Sequence, residues 1–129
     1  MGAFKVTGGV SLSGSIQPQG AKNEALQILC AVLLTSEPIT IHNIPNIIDV
    51  NKLIQILEKL GVKVAKHSAD SYTFQANNVD IDYLQSDDFK IAGRSLSGSI
   101  IIVGPLLARF CKGFIPKPGG DKIGRRRLD

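Results

Sequence analysis

The stretch from residue 21 to residue 35 constrains this chain most. Ala25, Leu26, Leu29, Ala31, Leu33 and Leu34 are good helix formers, with Gly20 before the run and Glu37-Pro38 after it. The apolar positions cover much of the helical circumference rather than one stripe. Such a helix needs cover on several sides, so it is expected inside a packed domain. Cys30 falls within the run and reads as a small buried residue.

The neighbouring segments supply candidates for that cover. Phe4–Thr7 and Val10–Ile16 alternate apolar and polar residues around Gly8-Gly9, which predicts a strand pair with a glycine turn. Ile39–Ile41 alternates as a short strand. Asp49 is read as the cap of a second helix, in which Val50, Leu53, Ile54, Leu57 and Leu60 recur at helical spacing and Gly61 follows the end. Val62–Val64 and Tyr72–Phe74 predict a hairpin. Asp87-Asp88 reads as a solvated cap ahead of a third helix, expected from about Ser95 to Phe110 with Pro105 kinking it. Gly113–Ile115 is expected to be a short strand. Helix, short strand, loop and helix thus occur over 21–60 and again over 95–129. This order favours a mixed α/β or α+β fold.

Composition narrows the functional classes. With 43% hydrophobic and 20% charged residues, the chain has the balance of an ordinary soluble globular domain. Trp is absent and aromatics make up 5%, which argues against a base-stacking platform for nucleic acid. The longest apolar stretch, Ile100–Ala108, is too short to span a bilayer, and Met1–Lys5 has no hydrophobic signal core. Cys30 and Cys111 have neither metal-ligand spacing nor a disulfide framework. The expected location is cytoplasmic. His42 and His67 stand singly near strand ends and are given no role.

Two segments carry chemistry. In Gly20-Ala21-Lys22-Asn23-Glu24-Ala25, a loop enters a helix whose first turn offers unpaired N–H groups and partial positive charge. Lys22 adds an ammonium and Asn23 an amide beside that anion site. Alone, the segment also suits a plain helix start with a solvated lysine. The second is Pro118-Gly119-Gly120-Asp121-Lys122-Ile123-Gly124-Arg125-Arg126-Arg127-Leu128-Asp129. Six of the fifteen Lys and Arg residues lie in the last eighteen positions, so the net charge of +4 is focused there. Arginines can fork onto phosphate or carboxylate oxygens, and the glycines permit close approach. The spacings of a nucleotide triphosphatase phosphate loop and of a dinucleotide-binding turn are both missing. A basic tail of this kind also fits a small nucleic-acid or protein binding module, which is the alternative reading.

Gly20–Leu26, Gly104-Pro105-Leu106-Leu107-Ala108-Arg109-Phe110 and Pro118–Arg126 together resemble the enolpyruvyl transferases, in the branch acting on UDP-N-acetylglucosamine. The resemblance covers all 129 residues, with the three motifs in order. The shikimate-pathway branch is the closest rival. It typically has Lys-Ser where this chain has Lys22-Asn23, and it lacks the Gly-Gly-x-x-Ile-Gly-x-Arg loop. The resemblance implies an α/β (α+β) fold of pseudo-threefold helix/sheet repeats in two domains with a cleft between them. Members are roughly three times this length, near what two large domains need. The chain is then expected to be an N-terminal fragment, with 1–20 as opening strands of the first domain and 21–129 as an incomplete second domain.

The implied reaction moves the enolpyruvyl group of phosphoenolpyruvate to the 3-hydroxyl of UDP-N-acetylglucosamine. It passes through a tetrahedral phosphoketal and releases phosphate, opening peptidoglycan synthesis. Two anionic substrates must be held close against repulsion, which calls for clustered cations. By resemblance, Lys22 grips the phosphate of phosphoenolpyruvate, Asn23 bonds the sugar, and Arg126 binds phosphoenolpyruvate. Arg127, Leu128 and Asp129 line the uridine side, with Asp129 as the nucleotide contact. Asp121 stands where most relatives carry a loop cysteine tied to protonation of the enol carbon. Relatives place an active-site arginine at the position of Ser97, and Arg94 is the nearest substitute. A lysine of some relatives is Ile48 here. No metal or cofactor is implied, and neither nucleic acid nor membrane is an expected partner. The fragment is expected to be inactive alone and to self-associate through unpaired strands.

Overall fold

The computed structural model describes residues 2–94 and 96–114, without the side chains of residues 97–99. Helix α1 spans Lys22–Ala31 and tightens into a 3₁₀ turn over Val32–Leu34. Strand β1 is Ile39–Ile41, helix α2 is Ile48–Lys59, and strands β2 and β3 are Lys63–Lys66 and Tyr72–Gln75. A 3₁₀ turn at Asp82–Gln85 leads to α3 (Asp87–Arg94), and a second at Ser97–Ile102 leads to α4 (Val103–Phe110). The architecture is α+β, as the order of elements suggested.

The three strands form one antiparallel sheet in the order β1-β3-β2, with Ile39 opposite Phe74 and Val64 also opposite Phe74. Phe74 therefore sits on the central strand and is fully buried. Leu29 and Leu33 from the first helical run meet Leu53 and Leu57 from α2 and Leu60 just past its end, and Leu96, Ile102 and Leu106 close the core. Helix α1 packs against α2 on one side and the Ser97–Ile102 turn on another. Each fully buried leucine contributes on the order of 2 kcal/mol, so the covering of this helix is stabilising.

Helix α2 ends as its sequence predicted. Gly61 takes φ +91°, and its N–H and that of Val62 return to the carbonyls of Glu58 and Leu57. Asp49 is not the cap. The helix begins one residue before it, and Ile47 holds the cap position without a side-chain bond. Asp49 instead lies in the first turn, where a carboxylate complements the helix dipole.

Other expectations also fail. Residues 2–20 contain no strand, and Phe4, Val6, Val10, Leu12 and Ile16 are 72% exposed or more. The alternation is present, but the segment pairs with neither outer strand of the sheet, β1 nor β2, and an extended segment without a partner does not hold as a strand. The single helix expected from Ser95 to Phe110 is replaced by α3, the 3₁₀ turn and α4. Helix α3 starts at Asp87, so Asp87 and Asp88 are its first residues rather than a cap for a later helix. Pro105 sits in the first turn of α4, where its missing N–H costs nothing. Gly113 and Phe114 form no strand, and Ile115 lies outside the described residues.

Candidate active site

Two helix N-termini meet at the candidate site. Lys22 opens α1 and Asp49 lies in the first turn of α2, and their side chains form an ion pair between the packed helices. A lysine at a helix N-terminus meets a dipole of its own sign. Asp49 offsets that cost while occupying the favourable end of its own helix. Lys22 Nζ is thus held at an open hollow of about 550 Å³, lined by Lys22, Asn46, Ile47, Ile48, Asp49 and Asn51. Asn51 Nδ2 donates to Asn46 Oδ1 over 2.9 Å and steadies the far wall.

The entry to α1 is fixed from the other side by backbone contact. Gly20 lies against the carbonyl oxygen of Asn43 so closely that a side chain there would overlap it, with Pro45 next to it. Asn43 itself takes φ +57°, and Ile44 N–H bonds to the carbonyl of Asp70. The glycine of the Gly20–Ala25 motif therefore serves the placement of Lys22. A second hollow, of about 240 Å³, runs beside it along Pro18–Ala21, Glu24 and His42–Ile44. His42 is engaged there by Ser71, with Oγ 2.9 Å from Nδ1, and His67 Nε2 lies 2.7 Å from Thr73 Oγ1.

The structure brings some of the expected residues together and leaves others apart. Lys22 and Asn23 share the first turn of α1, both exposed. Arg94 ends α3, is exposed, and is not among the residues lining the hollow around Lys22. Ile48, where some relatives carry a lysine, does line that hollow and is 72% exposed. Asp121, Arg126, Arg127, Leu128 and Asp129 lie outside the described residues. Among the described residues, no group of three or more His, Cys, Asp or Glu side chains is arranged to hold a metal ion. No helix among them is long and apolar enough to cross a membrane.

Sequence reading did not find two residues that shape this region. Asp49 reads from the sequence as a cap, whereas its partner lies 27 positions away on another helix. Arg109, from the Gly104–Phe110 motif, reaches across the fold. Its Nη1 donates to the carbonyls of Leu33, Thr35 and Ala76 at 3.0, 2.8 and 2.8 Å. The guanidinium also lies 4.9 Å from the Phe110 ring centroid. That motif is architectural: it ties α4 to the end of the α1 run and to the residue after β3.

The EPSP synthase (3-phosphoshikimate 1-carboxyvinyltransferase) family model matches residues 6–129. The chain belongs to this family. Curated relatives show a branch of the family to which it is similar. It is 60% identical over all 129 residues to a UDP-N-acetylglucosamine 1-carboxyvinyltransferase of Bacteroides fragilis, covering 30% of that protein. It is 54% identical, again over its full length and 30% of the relative, to the protein of the same name from Porphyromonas gingivalis. Among solved structures, the enolpyruvyl transferase NikO from Streptomyces tendae aligns with a TM-score of 0.60 and 25% identity, over 80% of this chain and 23% of that one. The chain spans about 30% of the length of these curated relatives. Family membership, expected from the three motifs, is thus established by comparisons that extend over nearly the whole chain.

Proposed function

We propose that the protein containing this chain transfers the enolpyruvyl group of phosphoenolpyruvate to the 3-hydroxyl of UDP-N-acetylglucosamine and releases phosphate. This is the first committed step of peptidoglycan synthesis, carried out in the cytoplasm. The observation that carries the reading is identity of 54–60% along the whole chain to proteins named for this activity. The position of Lys22 supports it, since a cation at a helix N-terminus facing an open hollow suits a phosphate.

In this reading Lys22 binds the phosphate of phosphoenolpyruvate and Asn23 bonds the sugar. Arg94 contributes from the end of α3. Arg126 binds phosphoenolpyruvate, and Arg127, Leu128 and Asp129 line the nucleotide side. The sugar hydroxyl oxygen adds to C2 of the enol, a carboxylate base supplied by chain beyond these residues takes the hydroxyl proton, and Asp121 delivers a proton to C3. The phosphoketal then loses phosphate and a C3 proton, restoring the double bond. Asp121 must be protonated to act. Cationic neighbours oppose that, and exclusion of water favours it. Neither metal nor organic cofactor takes part.

Residues 1–20 open a first domain and 21–129 begin a second, with the remainder of both supplied by chain beyond these residues. The exposed apolar side chains from Phe4 to Ile16 support that division. Isolated, the 129 residues are inactive and self-associate through the same segment. The test is phosphate release from phosphoenolpyruvate plus UDP-N-acetylglucosamine by the complete protein. Lys22→Ala and Asp121→Ala should each reduce turnover by two orders of magnitude or more, on the order of 3 kcal/mol in the barrier. No sugar-nucleotide-dependent phosphate release from the parent would overturn the reading.

A further inference from the structure

We infer that Asp49 is an exchangeable counterion for Lys22, which an incoming phosphate group displaces, so that it sets the affinity of the site for its anionic substrate. The inference rests on the reading of Lys22 as the phosphate-binding cation and adds a residue to it. Three observations carry it. The Lys22–Asp49 pair joins the first turns of two helices, so both dipoles present positive ends to the same hollow. The pair is open to solvent, with the side chains 43% and 26% exposed, so a ligand can reach it without unfolding either helix. The remaining lining residues, Asn46, Ile47, Ile48 and Asn51, are all uncharged, leaving Asp49 as the single anion among them.

Any phosphate bound by Lys22 therefore meets the Asp49 carboxylate at close range. Either the ammonium turns from the carboxylate to the phosphate, or the two anions share it and repel. In both cases the ion pair weakens anion binding by its own worth, which for a partly exposed pair is a factor of about two to five. The cost has a structural return. Without ligand, Asp49 neutralises a lysine at a helix N-terminus and keeps it at the hollow. Asp49 is thus a positioning residue, acting on substrate through Lys22.

The test uses the complete protein at low ionic strength, where a pair of this exposure is least screened. Inorganic phosphate is the calorimetric probe, so the measurement does not depend on turnover. Asp49→Asn should tighten phosphate about two- to fivefold, and Asp49→Glu, which keeps the charge, should not. In a Lys22→Ala background the gain from Asp49→Asn should vanish. The same substitution should lower the KM for phosphoenolpyruvate and leave that for UDP-N-acetylglucosamine where it was, a split that general loosening would not produce. If Asp49→Asn does not fold, Asp49→Ser removes the same charge and carries the same expectation. Phosphate affinity unchanged or weakened by Asp49→Asn, or a gain that persists without Lys22, overturns the inference. Absence of turnover in a parent protein that still binds phosphate counts against the proposed reaction and leaves the exchange standing.

Discussion

Gly20 lies so near the carbonyl oxygen of Asn43 that a β-carbon there would overlap it, at the point where the chain enters α1. The contact sits two residues before Lys22, so the backbone at 43 fixes how that lysine approaches its hollow. Gly20→Ala should push the two backbones apart at a cost of roughly 1–3 kcal/mol, the range for inserting atoms into a filled contact. Thermal unfolding should show a midpoint several degrees lower, and the complete enzyme should show a raised KM for phosphoenolpyruvate. A variant with unchanged melting and kinetics would mean the close approach is absent in solution.

Arg109 offers a second backbone test. Its Nη1 serves three carbonyls from segments that are otherwise only packed together. Arg109→Met keeps much of the aliphatic bulk and removes the donor, leaving the carbonyls of Leu33, Thr35 and Ala76 without it. The expected loss is on the order of 3 kcal/mol, read as a lower urea midpoint at unchanged slope. Arg109→Lys should recover only part of it, because one ammonium cannot reproduce the planar geometry.

These two contacts show what the sequence could reveal and what it could not. Helices α1 and α2 were legible because Leu29, Leu33, Leu53 and Leu57 repeat at helical spacing and are buried for that reason. The hairpin was legible from Val64 and Phe74, which alternate with polar neighbours. Helix α3 was not, because it buries only Phe89 and Gly93, too few apolar positions to show a period. The segment from Phe4 to Ile16 misled for the opposite reason. Its alternation is real, but a strand also needs a partner, and a pattern cannot say where that partner is. At the site, Lys22 and Asn23 were legible as a helix start. Their surroundings were not, since the meeting of Lys22 with Asp49 depends on how two helices pack.

The acid side of the stability curve should carry the mark of Asp88. Hydrogen bonding from Lys59 Nζ and then Tyr83 Oη, each 2.7 Å from Oδ2, holds this carboxyl below its usual range. The folded chain therefore binds fewer protons here than the unfolded chain once the pH falls below about 4. The stabilisation is present above that pH and is lost as the pH drops through the lowered value. Asp87, held down by Lys90, acts in the same direction. Denaturant midpoints followed from neutral to acid pH should fall less steeply for Asp88→Asn than for the parent. Parallel curves would show that the contact is not maintained in solution.

The two thiols should separate in reactivity. Cys30 is fully buried in the core, and burial pushes its thiol up to about 12. Cys111 is exposed just past α4, in the left-handed conformation at φ +55°. Since the thiolate is the reacting species, iodoacetamide at neutral pH should modify Cys111 in the folded chain and leave Cys30 untouched until denaturant is added. The raised value also has an alkaline consequence. Between pH 9.0 and about 12 an unfolded Cys30 ionises while the folded one stays protonated, so its contribution to stability is lost as the pH rises through that window. Two equivalents of label in the native chain would contradict the core placement.

Asp121 gives the sharpest chemical prediction for the complete enzyme. By the resemblance to the enolpyruvyl transferases, it stands where most members are expected to carry the loop cysteine that fosfomycin alkylates. Alkylation needs a strong nucleophile, and a carboxylate is a far weaker one than a thiolate. The unmutated enzyme should retain its activity after incubation with fosfomycin. Asp121→Cys should lose activity progressively, at a rate that rises with pH as the new thiol ionises. Mass spectrometry should then find one adduct, on the loop peptide. Protection by UDP-N-acetylglucosamine or its absence would tell whether the sugar nucleotide changes access to that position. Time-dependent inactivation of the unmutated enzyme would show that position 121 does not determine sensitivity, and with it the assignment of Asp121 to proton delivery would lose its main support.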